Sequence, residues 1–218
     1  MTRVRTLASL GVAAATLAYL VASSQGWTAA GYATKPLIVV SCLGIVAGGA
    51  ASPTRGWILA GLGLSLGGDI ALMLPGDYFV AGLALFLVAH LCYIRAFTLN
   101  GWRVSPLPSL LVGGYLMLMV ALLVPVLGPM RVPVAVYATV ISIMAWQAVE
   151  QRAALETRAA ALVAFGAVMF VASDTALAIN RFLTPLAMER LLIMGTYALA
   201  QWGIALGASM QEHGRPVA

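Results

Sequence analysis

Residues 159–181 read AAALVAFGAVMFVASDTALAINR, and over these twenty-three positions the only charges are Asp174 and the terminal Arg181. About 20 predominantly apolar residues are what a helix needs to cross a bilayer. Seven more runs of this kind accompany it. Breaks marked by Pro, Gly and charge place the eight at approximately 7–23, 36–51, 56–75, 78–98, 107–127, 132–149, 159–181 and 188–209. An open strand cannot satisfy its backbone in lipid, so each run is predicted to be a helix.

Composition carries the same message. Of 218 residues, 62% are apolar and 9% charged, whereas a soluble domain carries about a quarter charged residues. Mean hydropathy is +0.98. Such a chain cannot cover a water-facing surface, and it lacks the composition of a disordered chain, a collagen or a disulfide scaffold. The expected fold is all-α, a polytopic membrane bundle of about eight helices forming one integral membrane domain over 1–218. Eight spans use roughly 160 residues, so any chemistry sits among the helices. Arg3, Arg5 and Ala22-Ser23-Ser24 imitate a secretory signal around the first run. It is read as a membrane helix because no exported soluble domain follows.

The net charge is +5. Its twelve basic residues stand singly in the turns, which fits control of topology and not nucleic-acid binding. The N-terminal side holds Arg3, Arg5, Arg55, Arg95, Arg103, Arg152, Arg158 and Arg215; the opposite side holds Lys35, Arg131, Arg181 and Arg190. That asymmetry predicts cytoplasmic termini, in a bacterial inner (cell) membrane. Cys42 and Cys92 lie inside apolar runs and read as small buried residues.

An ionisable group within a bilayer is costly enough to be a functional hypothesis. Three stand out: Asp69 in Gly68-Asp69-Ile70-Ala71-Leu72, Asp174 in Ser173-Asp174-Thr175-Ala176-Leu177, and His90. The two aspartates share a pattern of small residue, Asp, any residue, Ala, Leu. Counted from the starts of their runs, they lie roughly 20 and 22 Å along their helices at 1.5 Å per residue. Lys35 begins the second run on the same side, so a cation and two carboxylates meet there if these helices are neighbours. Tyr93 follows Asp69 by 24 residues and Tyr197 follows Asp174 by 23. This spacing is compatible with a parallel four-plus-four repeat.

Taken in order, Lys35-Pro36-Leu37, Gly68-Asp69 with Leu72, and Phe79, Gly82, Phe86, His90 and Tyr93 resemble the YhhN-like lysoplasmalogenase family. Tyr137, Met144, Gly166-Ala167, Phe170, Ser173-Asp174, Leu177, Asn180, Tyr197 and Gln201 continue the resemblance over nearly the whole chain. It implies an integral membrane enzyme that hydrolyses the vinyl ether bond of a lysoplasmalogen. The products would be a fatty aldehyde and a glycerophospho-ethanolamine or -choline, and a related ether lipid or lysolipid is the other substrate considered. A lysophospholipid and the membrane lipid are then the partners, with no cofactor.

The residues suit that chemistry. A vinyl ether is cleaved when an acid protonates its carbon and water captures the resulting oxocarbenium ion. One carboxyl supplies the proton, and a second, ionised, orients water and steadies the cation, as in glycosidases. Asp69 and Asp174 are the expected catalytic pair, against a purely helix-locking role for each. His90 shares a helical face with Tyr93 and reads equally as a site residue or a hydrogen-bonded structural one. Lys35 reads as a phosphate ligand near the membrane surface or as a snorkelling helix-end anchor. Ser173 and Asn180, seven apart on the Asp174 helix, lie on roughly the same face and are candidate hydrogen-bonding groups of the site. Tyr93, Tyr137, Tyr197 and Gln201 are candidate cavity groups, with interfacial anchoring the alternative for the tyrosines. Glu150, Arg152, Glu156 and Arg158 read as a solvated charge run after span six.

Other chemistries lack their motifs. His213 falls in the tail, so one histidine remains for the membrane and a three-histidine zinc site is not expected. No Ser-x-x-Lys pair or nucleotide fingerprint occurs. The rival class is a small proton-coupled transporter, which also uses mid-membrane carboxylates and internal repeats.

Overall fold

All eight runs form helices. The computed structural model describes residues 3–211; the tail residues Glu212, His213 and Arg215 fall outside them. The helices are α1 (Arg3–Ser24), α2 (Thr28–Ala47), α3 (Pro53–Met73), α4 (Phe79–Phe97), α5 (Pro106–Leu123), α6 (Arg131–Leu155), α7 (Arg158–Phe182) and α8 (Glu189–Met210). A short 3-10 turn, Gly128–Met130, precedes α6, and no strand occurs among the described residues. Each of the eight is long and apolar enough to span a bilayer. The protein is an integral membrane protein.

Two boundaries move far enough to matter. Pro36 reads as a helix start, yet α2 begins at Thr28 and carries Pro36 in its interior. The cost is one helical hydrogen bond, since Pro36 has no N–H for the Tyr32 carbonyl. Lys35 therefore lies seven residues inside the helix and is buried. At the other end of the bundle α6 continues to Leu155, so Glu150 is not in a loop and not solvated. The residue is 3% exposed, and its carboxylate accepts from the Ser105 N–H (2.7 Å), the Ser105 hydroxyl (2.6 Å) and Trp146 Nε1 (3.0 Å). Gln147 exchanges two hydrogen bonds with the Arg103 backbone beside it. The segment before α5 is pinned to α6, and Glu150 serves the α5 N-terminus, where backbone donors lack helical partners.

The two aspartate-bearing helices start alike. Ser52 accepts the Arg55 N–H at 3.1 Å to cap α3, and Thr157 accepts the Ala160 N–H at 3.1 Å to cap α7. Asp69 and Asp174 each stand sixteen residues beyond the first residue of their helix, about 24 Å at 1.5 Å per residue. Equal starting points bring the carboxyls to equal depth, in the half of the bundle away from the N-terminus, here called the distal half.

Helices α2, α3, α4, α6, α7 and α8 pack in that order around a closed ring, with α8 against α2. Helix α1 lies outside on α2 and α8, and α5 lies outside on α6. Exchanging α2 with α6, α3 with α7 and α4 with α8 reproduces every neighbour in the ring, as a parallel four-plus-four arrangement would. The symmetry is imperfect: the α3 and α8 backbones approach each other, while α4 and α7 meet only through side chains.

Glycine sets the closest of these contacts. A Cβ on Gly166 would lie 2.6 Å from the Ala200 carbonyl oxygen, and one on Gly207 would lie 2.7 Å from that of Ala159. Helices α7 and α8 thus meet backbone to backbone, which is how membrane helices gain packing without a hydrophobic drive. In α3, Gly61 and Gly68 leave the grooves that seat the rings of Tyr93 and Phe86. A Gly166→Ala change is expected to lower stability by about 1–3 kcal/mol through overpacking. Gly114→Ala, where the new methyl meets nothing within 4 Å, is the control. Thermal unfolding in detergent checks the pair: equal melting temperatures would show that α7 and α8 can part without loss.

Candidate functional site

The ring brings Asp69 and Asp174 to one cavity of about 120 Å³. Lys35, Tyr137, Ser173 and Tyr197 supply its other polar walls; Leu72, Phe79, Leu83, Phe86, Val134, Leu177, Ala178, Phe182, Ile193 and Met194 make the rest apolar. Six of the ten residues singled out from the sequence line this space.

The two carboxyls have different partners. Asp69 is 2% exposed. Its Oδ1 faces Lys35 Nζ at 3.2 Å, and its Oδ2 accepts the Tyr197 hydroxyl at 2.6 Å. Because α2 starts earlier than Pro36 suggests, Lys35 meets Asp69 inside the bundle and is no helix-end anchor. The Tyr197 oxygen accepts in turn from Gln201 Nε2 at 3.0 Å, and the Gln201 carbonyl accepts the Tyr93 hydroxyl at 3.0 Å. Ser65 stands 3.4 Å from that hydroxyl. Tyr93 and Gln201 therefore sit behind Asp69, holding Tyr197, and do not line the cavity.

Among the described residues, Asp174 has no Lys or Arg at ion-pair distance; the His90 ring is nearest, its Nε2 4.0 Å from Oδ2. The Tyr137 hydroxyl lies between them, donating to Asp174 Oδ2 and standing 2.9 Å from His90 Nε2. With Tyr137 donating its one proton to Asp174, the 2.9 Å contact has His90 Nε2 as donor. That leaves Nδ1 bare, and Nδ1 is indeed buried without a partner; an unpaired acceptor is easier to bury than an unpaired N–H. His90 is fully buried, packed edge-on against Phe170 with centroids 4.7 Å apart. It acts on Asp174 through Tyr137.

Asn180 is not part of this site. Its amide donates to Glu189 and its carbonyl accepts the Leu186 N–H at 2.8 Å, which closes the α7–α8 loop. Ala178 and Phe182 on either side of it line the cavity, so Asn180 is at the right height but is turned to the α7–α8 loop. Ser173 lines the cavity while donating to the Ile193 carbonyl at 3.0 Å across the α7–α8 contact. The site tyrosines are nearly buried, Tyr93 at 0%, Tyr197 at 4% and Tyr137 at 8%, so interfacial anchoring does not describe them.

Sequence reasoning had no signal for most of the apolar lining. Val134, Ile193 or Phe182 looks like any lipid-facing residue until the helices are paired. Phe79 and Phe182 meet edge to face at 5.8 Å at the distal end of the cavity, with the Arg181 guanidinium 4.0 Å above the Phe79 ring. Among the described residues, no group of three or more His, Cys, Asp or Glu side chains gathers as a metal site would require.

A sequence profile of the YhhN family matches residues 30–208. Human lysoplasmalogenase TMEM86A is 36% identical over 163 residues, covering 72% of this chain and 67% of its own length. Human lysoplasmalogenase TMEM86B is 37% identical over 167 residues, covering 72% and 66%. A Mycobacterium tuberculosis lysoplasmalogenase is 35% identical over 162 residues, covering 70% and 60%. The chain spans about two thirds of the length of these relatives. No solved structure matches it.

Proposed function

The chain belongs to the YhhN family, and from that premise we propose that it is an intramembrane hydrolase cleaving the vinyl ether bond of a lysoplasmalogen. The observation that carries the reading is the unequal pairing of two carboxyls on one largely apolar cavity. Asp69, against Lys35, is the ionised member; Asp174, with a tyrosine in place of a cation, carries the proton. Relatives named as lysoplasmalogenases support the substrate class.

The steps balance within the pair. Asp174 gives its proton to the outer vinyl carbon, and the positive charge that develops on the ether carbon and oxygen faces the Asp69 carboxylate. Water adds to that carbon and passes a proton to Asp69, forming a hemiacetal. The hemiacetal hydroxyl returns a proton to Asp174 as the carbon–oxygen bond breaks, and Asp69 protonates the leaving oxygen. A fatty aldehyde and a glycerophospho-ethanolamine or -choline result, with both carboxyls restored. Acid–base exchange around an oxocarbenium ion is the logic of glycosidases. Tyr137 and Tyr197 orient the two carboxyls, and the apolar walls take the chain.

Among the described residues, Arg3, Arg5, Arg55, Arg95, Arg103, Arg152 and Arg158 lie toward the proximal end, against Arg131, Arg181 and Arg190 at the distal end. This supports cytoplasmic termini in a bacterial inner membrane. Lys35 drops out of the count because it is spent on Asp69.

Purified protein in detergent, given a lysoplasmalogen and no gradient, is expected to release aldehyde with or without chelator. Loss of turnover on chelation, restored by zinc, would overturn the carboxyl-only chemistry. The exchange-symmetric ring and the carboxyls within the membrane also suit a carrier; uptake into vesicles with no turnover would replace the hydrolase by a transporter.

A further inference from the structure

A second cavity, of about 220 Å³, lies at the distal end between α1, α2, α3 and α8, with Tyr19, Trp27, Tyr32, Met73 and Arg190 on its walls. Nothing in the proposed chemistry uses it. We propose that it is the headgroup subsite of the catalytic cavity, binding the phosphate of a lysophospholipid on Arg190 with the headgroup ammonium against Trp27 and Tyr32.

Register puts the two cavities in line. Tyr32 precedes Lys35 by three residues and Met73 follows Asp69 by four. Arg190 precedes Ile193 by three, Met194 by four and Tyr197 by seven. Residues at these spacings share a helical face. On all three helices the second cavity therefore stands one or two turns beyond the Lys35–Asp69–Tyr197 cluster, each turn being about 5.4 Å. In a glycerol lipid the ether oxygen and the phosphorus are five bonds apart, about 6 Å when extended. A substrate with its ether at the carboxyls thus brings its phosphate to the second cavity.

The residues there match a zwitterionic headgroup. Lys35 is committed to Asp69 and Arg181 to Asp77 and the Phe79 ring, and Arg190 is the cation on the walls of the second cavity. Arg190 Nη1 donates to the Ser23 carbonyl at 2.8 Å, which orients the guanidinium and leaves further N–H donors for an anion. The neighbouring Glu189 accepts from Asn180 through one oxygen and sets the other 4.0 Å from Arg190 Nε, so the Nη groups are the donors open to an anion. Trp27 and Tyr32 are exposed aromatics beside this cation, the surface on which a quaternary or primary ammonium is held by cation–π attraction.

This inference rests on the lysophospholipid reading above, so its test uses uncleavable probes whose binding does not depend on turnover. Saturated 1-O-alkyl lysophosphatidylcholine and 1-O-alkylglycerol, which lacks the phosphate, are titrated onto purified protein in detergent. The wild type is expected to prefer the phosphorylated probe at least tenfold. Arg190→Gln is expected to remove that preference, and Arg190→Lys to keep part of it. Equal affinity of the wild type for both probes, or an unchanged preference in Arg190→Gln, overturns the assignment. Should Arg190→Gln fail to fold, Trp27→Ala at its exposed position carries the test against 1-O-alkyl glycerophosphate. A loss of choline-probe affinity of at least threefold, greater than for the phosphate-only probe, supports the subsite; equal affinities overturn it. If the probes bind as expected but no vinyl ether is cleaved, the hydrolase reading fails and the subsite stands.

Discussion

Replacing Asp174 with Asn is expected to lower turnover of a lysoplasmalogen by two to four orders of magnitude, the range general acid–base catalysis supplies, with little loss of stability. Asn has the shape of Asp but no proton of the required acidity, so the vinyl carbon stays unprotonated. Its amide oxygen still accepts the Tyr137 hydroxyl that now bonds Asp174 Oδ2, and the His90–Tyr137 contact survives. The unfolding temperature in detergent should therefore stay near the wild-type value while kcat collapses. Aldehyde release within tenfold of wild type would remove Asp174 from the chemistry. Asp69→Asn should also abolish turnover, but for a different reason: it deletes the negative charge that faces the oxocarbenium ion and strands the Lys35 ammonium. The two variants would thus agree in activity and differ in stability, a contrast that two interchangeable carboxyls would not produce.

The lipid environment explains why much of the fold and the site is legible in the amino-acid sequence. In a chain that is 9% charged, Asp69 and Asp174 are conspicuous because lipid makes misplaced charge costly. Their common depth follows from helical rise alone. What escapes the sequence depends on where helices end and which faces meet. Pro36 is a sound helix-start signal that here lies inside α2, and the shift turns Lys35 from a surface cation into the buried partner of Asp69. Glu150 reads as solvated because a charge run usually is; its burial needs the segment before α5 to fold back onto α6. Asn180 has the right height but is turned to the α7–α8 loop, an orientation that appears only once Glu189 and Leu186 are placed beside it. Beyond the landmarks Leu72, Phe79, Phe86 and Leu177, the apolar walls carry no signal, since lipid-facing and cavity-facing leucines are written alike. The separate jobs of the two aspartates are hidden for the same reason: a carboxyl's charge state is decided by its neighbours, and neighbours come only with packing.

That dependence makes Lys35 the second decisive position. Lys35→Met is expected to destabilise the protein by about 3–5 kcal/mol, because removing one partner of a buried ion pair leaves the other charge uncompensated. The side chains of the pair are 10% and 3% exposed, 3.2 Å apart, so water cannot replace the lost cation cheaply. Asp69→Asn should also destabilise, through the orphaned ammonium. The double variant Lys35→Met with Asp69→Asn should be more stable than the sum of the single losses predicts, since neither charge then remains; the excess is the coupling between them. Unfolding of all four proteins in the same detergent measures it. A lysine that served only as a helix-end anchor would give a silent Lys35→Met and no coupling, and that result would detach Asp69 from its cation. Activity should not return in the double variant even where stability does, because the site needs a carboxylate that stays ionised inside a membrane, and Lys35 is what allows one to be there.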